Sequence, residues 1–139
     1  KLISKLGILI GQAFQIQDDI IGIFETEENI GKSILSDLAE NKKTILVAHA
    51  FRTLKGKPRQ QFLNIFKKET KTLADLEVIK KIFVDGKSLD YALEAVHTRL
   101  NEARSILKKL KMNDEYRNII SAALLKLFSH SQRIVDTYK

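Results

Sequence analysis

The 139-residue chain contains no cysteine and a single proline. Without cysteine it has no disulfide framework and no thiolate zinc site, which favours a reducing compartment such as the cytoplasm. One proline and six glycines leave few residues for the many turns of a sheet-rich fold. The longest uncharged run, residues 6–17, is too short for a membrane span, and no signal peptide is recognisable. These absences favour a helical protein of the cytoplasm.

Apolar residues make up 44% of the chain, which is enough for a core, and the length is that of one ordinary domain. The net charge of +7 is unevenly distributed. Residues 1–45 carry five lysines and seven acidic residues, whereas the remainder carries 19 basic and 10 acidic residues. No aromatic residues are interleaved with the basic ones, so the charge predicts a solvated surface and no nucleic-acid partner.

Apolar periodicity predicts an all-α bundle of about six helices with short connections and no strand. The predicted ranges are 1–24, 42–54, 59–68, 73–85, 88–109 and 114–137, with residues 25–41 irregular. Thr72 and Asp75 resemble a capping box, Gly86 is expected to end the fourth helix, and Asn113 to cap the sixth. The clearest apolar stripe is Leu89, Leu93, Val96, Leu100, Ala103, Leu107 and Leu110. Predicted apolar positions of the last helix are Tyr116, Ile119, Ile120, Ala123, Leu124, Leu127, Phe128, Ile134 and Val135.

Two adjacent carboxylates, Asp18 and Asp19, interrupt the first, otherwise apolar helix. Helical spacing places Asp18 on one small polar face with Gly11, Gln15 and Gly22, a face that suits a cleft within the bundle. Burying such charges is costly unless something pairs with them. The pattern therefore predicts a functional site on this helix.

The chemistry expected at this site is that of a divalent metal and a phosphate. Carboxylate oxygens favour Mg²⁺, which takes the rest of its shell from water and substrate phosphates. Lys32 and Lys42 follow in the sequence, and lysine binds phosphate as a flexible point charge. The sequence predicts a diphosphate held between magnesium and these lysines.

Each residue taken alone also has a structural interpretation. An Asp-Asp pair is more often found on a solvated helix face, the two lysines are compatible with an ordinary surface, and Gln15 with a satisfied core amide. The three histidines, His49, His97 and His130, are scattered over different helices and are interpreted as structural or surface residues. The specificity lies in the combination.

In order along the chain stand Gly11, Phe14, Gln15, Asp18, Asp19, Gly31, Lys32, Ser36, Asp37, Lys42 and Thr44. This order resembles the second aspartate-rich region of the trans-isoprenyl diphosphate synthases, also called polyprenyl synthetases. The resemblance is strongest over residues 11–50 and looser over residues 72–110. It implies the isoprenoid synthase fold, and a homodimer as is common in that family.

The resemblance also implies roles for individual residues. Asp18 and Asp19 would coordinate magnesium bridged to an allylic diphosphate, and Lys32 and Lys42 would contact that diphosphate. The implied reaction is the head-to-tail condensation of the allylic diphosphate with isopentenyl diphosphate, as in geranylgeranyl or farnesyl diphosphate synthases.

Two neighbouring residues have implied roles at the reacting carbon. Gln15 would lie near the allylic carbocation, and Phe14 would help to line the cavity that receives the prenyl chain.

The sequence departs from the family pattern at five positions. Gly22 stands where many members have a third aspartate, Glu25 and Thr26 replace a Gly-Asp pair, and Leu35 and Asn41 replace glycines. These departures predict an unusual loop conformation. They also support an alternative, a non-catalytic helical interaction or regulatory module homologous to a synthase.

The family's first aspartate-rich motif is absent from residues 1–139, and the chain begins with Lys1 and not with methionine. We therefore expect a single helical domain that is the C-terminal portion of a longer synthase and is inactive alone. A terpene cyclase or a head-to-head synthase is a weaker alternative, because the second metal motif of those enzymes differs from the 31–44 run seen here.

Overall fold

The structure, a computed structural model, describes residues 1–25 and 35–138. Within these ranges α-helix is the dominant element and no strand occurs, which confirms the all-α prediction. The helices of the described residues are α1 (Leu2–Phe24), α2 (Ser36–Ala39), α3 (Ile45–Thr53), α4 (Gly56–Lys67), α5 (Leu73–Asp85), α6 (Ser88–Lys109) and α7 (Asp114–Tyr138). None of these helices is long and apolar enough to cross a membrane.

The most extensive helix–helix contact in the described residues is that between α1 and α6. The predicted stripe of α6 is buried from Leu89 to Leu107, and Leu110 at its end is partly buried. On α1 a stripe of buried apolar side chains recurs at steps of three and four; its members are Leu6, Leu9, Ala13, Ile16, Ile20 and Ile23. Removal of these apolar surfaces from water is the main force that holds the two helices together.

The connection between α1 and α3 was expected to be irregular, but it contains the one-turn helix α2. Four residues are too few to show a helical period, so the sequence pattern could not indicate this element. The start of α4 also differs, because it lies at Gly56, ahead of the predicted residue 59. Gly56 has a φ of 59°, which glycine adopts without strain, and Pro58 occupies the first turn as expected.

Two of the predicted caps are confirmed. The Thr72 hydroxyl accepts a hydrogen bond from Asp75 N at 3.2 Å, and the Asp75 carboxylate accepts one from Thr72 N at 2.9 Å. Asn113 Oδ1 accepts a hydrogen bond from Glu115 N at 2.8 Å at the start of α7. These bonds satisfy backbone donors that a helix leaves free at its first turn.

Gly86 follows α5 as predicted, but its backbone is not left-handed; the left-handed residue is Lys87, with a φ of 62°. A Cβ atom on Gly86 would lie 2.8 Å from the carbonyl oxygen of Ile82 and 2.9 Å from a methyl group of Leu54. Glycine is needed here because there is no space for a side chain.

The apolar pattern of α7 overstates its burial. Leu124, Phe128, Ile134 and Val135 are buried as predicted, whereas Tyr116, Ile119, Ala123 and Leu127 are exposed. Periodicity identifies an apolar face but does not show whether a neighbour covers it. Among the described residues of α7, the fully buried apolar side chains begin at Leu124.

Candidate functional site

The two adjacent aspartates of α1 lie in different surroundings. Asp19 is only 6% exposed, whereas the side chain of Asp18 is 58% exposed. Successive helical residues point about 100° apart, so the two carboxylates diverge around the helix. They therefore form the inner and outer edges of one acidic surface.

Lys42 joins both aspartates to a third carboxylate from α2. Its Nζ lies 3.7 Å from Asp18 Oδ2, 3.3 Å from Asp19 Oδ1 and 3.1 Å from Asp37 Oδ2. The lysine is positioned by the turn after α2, in which Lys42 N donates to the Asp37 carbonyl oxygen at 3.2 Å. We call Asp18, Asp19, Asp37 and Lys42 the acidic cluster. Sequence reasoning placed Asp37 in the motif but gave it no role.

Burial and hydrogen bonding act in opposite directions on this cluster. Burial raises the pKa of Asp19 above its usual range, although hydrogen bonds from Gln15 and Lys42 partly oppose that rise. Burial alone would lower the pKa of Lys42, but the hydrogen bonds and charges of Asp37 and Asp19 outweigh it and raise the pKa. The lysine is therefore held in its charged form, whereas burial destabilises the negative charge of the Asp19 carboxylate.

Gly22 makes room for Asp37. A Cβ atom at position 22 would lie 2.3 Å from Asp37 Oδ2 and 3.0 Å from its Cγ, closer than atoms can approach. Position 22 is the one at which the resemblance described above leads us to expect a third aspartate in many family members. In this chain the space in front of that position is filled by a carboxylate from α2.

The loop departures at Asn41 and Leu35 also have physical explanations. Asn41 has a φ of 51°, a left-handed conformation that asparagine tolerates better than other residues with a side chain. Asparagine can therefore replace glycine there without forcing the backbone elsewhere. Leu35 packs partly buried against the core. Thr26 and the remainder of residues 26–34 lie outside the described residues, so the unusual loop conformation stays a prediction.

The other predicted site residues lie on the same face of α1 or outside the described ranges. Gln15 is exposed, and its Nε2 donates to Asp19 Oδ1 at 3.2 Å. Phe14 is 51% exposed. In the described part of the chain this polar face opens to solvent and is not enclosed in a cleft. Lys32 and Gly31 lie outside the described residues.

The acidic cluster offers carboxylate oxygens, which are the ligands that magnesium prefers in proteins. Three carboxylates supply hard oxygen ligands, but their nearest shared partner is the Lys42 ammonium. In residues 1–25 and 35–138 no three His, Cys, Asp or Glu side chains form a ready metal cage. The set fits an ion held by one or two carboxylates that completes its shell with water and phosphate oxygens, which is how magnesium is usually bound.

The part of the chain that matches a known protein family contains the acidic cluster. The family model described as Polyprenyl synthetase matches residues 1–83, which contain the whole acidic cluster. The chain is 32% identical over 114 residues to a geranylfarnesyl diphosphate synthase of Aeropyrum pernix, a match that covers 82% of this chain and 35% of that protein. It is 36% identical over 96 residues to a geranylgeranyl diphosphate synthase of Sulfolobus acidocaldarius, covering 66% of this chain and 28% of that protein.

A solved structure shows the same arrangement of helices. The crystal structure of geranylgeranyl pyrophosphate synthetase from Pyrococcus horikoshii superposes with a TM-score of 0.73 at 31% identity, covering 97% of this chain and 38% of that one. The chain belongs to the polyprenyl synthetase family. It spans about a third of the length of the relatives it matches.

Proposed function

We propose that this chain contributes to the active site of a magnesium-dependent trans-prenyltransferase that condenses an allylic diphosphate with isopentenyl diphosphate. The supporting observation is the convergence of Asp18, Asp19 and Asp37 on Lys42 within the segment that the family model matches. Relatives named geranylfarnesyl and geranylgeranyl diphosphate synthases support this reaction class.

Charge balance supports a divalent cation and a diphosphate together. With all three carboxylates ionised, the acidic cluster carries a formal charge of −2, because Lys42 offsets one of the three. One divalent cation neutralises that remainder. Lys42 and Lys32 are then available to a diphosphate, which lysine binds through three freely rotating donors.

The positions of the residues are compatible with the roles that the family resemblance implies. Asp18 and Asp19 would hold the metal, and Gln15, which donates to Asp19 Oδ1 at 3.2 Å, would lie near the allylic carbocation. The metal would stabilise the negative charge that develops on the departing diphosphate. Phe14 contributes apolar surface that excludes water from the carbocation.

The proposal is tested by titrating the chain with pyrophosphate, with and without Mg²⁺, in a calorimeter. Asp18→Asn should weaken Mg²⁺-dependent binding at least about tenfold, equivalent to about 1.4 kcal/mol. Asp85→Asn is the matched control, because Asp85 is also a lysine-paired surface carboxylate, 63% exposed. Equal binding by wild type and Asp18→Asn would contradict the proposed site.

Turnover requires more of the synthase than this chain supplies. The 139 residues contain one aspartate-rich motif, and stabilisation of the transition state needs both sides of the site. We expect no incorporation of radiolabelled isopentenyl diphosphate by the chain alone, and a large loss of turnover in the longer enzyme on Asp18→Ala. Normal turnover by that variant would count against the assignment.

The alternative of a non-catalytic module drew its support from the loop departures. The space needed by Asp37 beside Gly22, and the left-handed backbone of Asn41, account for two of them without loss of the acidic cluster. Homodimerisation and a cytoplasmic location stay predictions.

A further inference from the structure

A buried polar contact joins α7 to α1 directly beside Asp18. Gln17 Nε2 donates to the Leu127 carbonyl oxygen at 2.9 Å, and Ser131 Oγ donates to Gln17 Oε1 at 3.1 Å. Gln17 is 4% exposed and Ser131 is 1% exposed. Both ends of the amide are thus satisfied by α7 away from water, where an unpaired polar group is costly.

Gln17 anchors the side of α1 that faces away from Asp19. Two residues along an α-helix correspond to a rotation of about 200°, so the two side chains leave the helix in nearly opposite directions. The flanking contacts of Ile16 and Ile20 are apolar and non-directional. The amide bonds are directional, so they favour one rotation of α1 about its own axis.

Further contacts tie the end of α1 to the same helix. The Tyr138 hydroxyl donates to the Phe24 carbonyl oxygen at 3.3 Å, and His130 Nε2 lies 2.5 Å from Glu25 Oε2. Helix α7 therefore holds α1 at Gln17 and again at its C-terminal end. Asp18 and Asp19 lie on the segment between these attachments.

We propose that Gln17 and Ser131 are positioning residues that set the rotation of α1, so that Asp18 and Asp19 face Lys42 and the ligands of the acidic cluster. This inference rests on the proposed function of that cluster. Neither residue touches the ligand; each acts through the orientation of the two aspartates.

The test separates orientation from stability by means of a double variant. Ser131→Ala leaves the buried Gln17 Oε1 without its donor, so it should lower the denaturation midpoint. Gln17→Met should cost less, because Ser131 Oγ also donates to the Phe128 carbonyl oxygen at 3.0 Å. Replacing both partners with apolar groups of similar shape is often nearly neutral, so the double variant should regain most of that stability. Ser121→Ala is the matched control, because Ser121 Oγ forms its hydrogen bond within α7, where it donates to Arg117 O at 2.8 Å.

The readout is Mg²⁺-dependent binding of pyrophosphate to the folded chain. The double variant is expected to bind about tenfold more weakly than wild type, the loss typical when a supporting partner of a metal ligand is removed. Ser121→Ala should bind as wild type does. A double variant that recovers stability and binds with wild-type affinity would overturn the positioning role, because a purely structural contact predicts that result.

Three further outcomes of the binding experiment also decide between the proposals. If the double variant does not refold, Ser131→Ala is measured at low temperature, with wild-type affinity again overturning the inference. If wild type itself shows no Mg²⁺-dependent binding, the proposed function fails and this inference fails with it. Binding that is lost in Asp18→Asn but kept in the Gln17 and Ser131 variants rejects the positioning role alone.

Discussion

Asp19 and Asp75 are both 6% exposed and both contact a lysine, yet their environments differ. Asp75 lies in the first turn of α5, where it accepts hydrogen bonds from the Thr72 backbone and hydroxyl. Lys68 and Thr72 hold the pKa of Asp75 below its usual range. Asp19 lies inside α1, where no backbone donor is free, and burial raises its pKa.

Asp75 has the surroundings of a structural carboxylate, whereas those of Asp19 suit the binding role that we propose for it. Asp75 has its own lysine and a helix start to satisfy it, so its negative charge stabilises the fold. Asp19 shares Lys42 with Asp18 and Asp37, and its charge is only partly balanced. A buried carboxylate that lacks a full set of partners within the protein marks a place where a ligand cation gains the most.

The largest expected effect is on the shared lysine. Lys42→Ala should weaken Mg²⁺-dependent pyrophosphate binding about 10-fold to 100-fold, because a hydrogen bond to a charged group contributes about 1.5–3 kcal/mol. The measurement is calorimetric titration of the chain. Lys43→Ala is the control, since it removes the same charge from the next residue, which is exposed.

The same variant should act in the opposite direction on the metal alone. Without Lys42 the three carboxylates lose the ammonium that competes with a cation, so Mg²⁺ in the absence of pyrophosphate should bind more tightly than to wild type. Equal changes in Lys42→Ala and Lys43→Ala would show that only net charge matters. In that case Asp19 would have no more part in ligand binding than Asp75 has.

A smaller effect is expected from Gly22→Ala. The new methyl group must displace the Asp37 carboxylate from Lys42, so Mg²⁺-dependent pyrophosphate affinity should fall about tenfold, as for other supporting contacts of a metal site. Gly7→Ala is the control, because a Cβ atom there meets nothing within 4 Å. It should raise the free energy of unfolding by about 0.5–1 kcal/mol and leave binding unchanged. Wild-type affinity in Gly22→Ala would exclude Asp37 from the site.

On the structural side of the comparison, Thr72→Ala removes the cap of α5. The free energy of unfolding should fall by about 1 kcal/mol, the usual cost of losing a threonine N-cap. Denaturant titration measures this loss, and pyrophosphate binding should not change. A change in binding at constant fold would show that the Asp75 region is coupled to the acidic cluster.

The smallest expected effects are opposite slopes of stability against pH. Because the folded pKa of Asp75 is lowered, its stabilisation is present above the ordinary aspartate pKa and is lost as pH falls through the folded value. Because the folded pKa of Asp19 is raised, its contribution is present below the ordinary value and is lost as pH rises through the folded value. The free energy of unfolding of wild type should therefore exceed that of Asp75→Asn by less as the pH falls. The difference between wild type and Asp19→Asn should instead change in favour of wild type as the pH falls. Parallel slopes would contradict the two assignments.

The sequence predicted the elements whose signal is local and repeated. The seven-position stripe of α6 and the Thr72 capping box depend on residues close together in the chain, and both were found. Helix α2 was missed because a single turn shows no period. The burial of α7 was overestimated, because burial depends on whether a neighbouring helix covers the apolar face, and the sequence pattern does not show this.

The candidate site was predictable only in part for the same reason. Asp18, Asp19 and Lys42 were singled out from residue type and order, and the structure brings them together. The place of Asp37 in the acidic cluster depends on how α2 packs against Gly22. The buried contact of Gln17 depends on Ser131, a partner 114 residues away in the chain. Side-chain contacts over such separations have no signature in one sequence.

The close approach at Gly22 has an evolutionary consequence. A lineage that acquires a side chain at position 22 must turn the Asp37 carboxylate away or replace it, since a Cβ atom there and Asp37 Oδ2 cannot occupy one volume. Homologues with a side chain at position 22 should therefore lack this contact between the two positions.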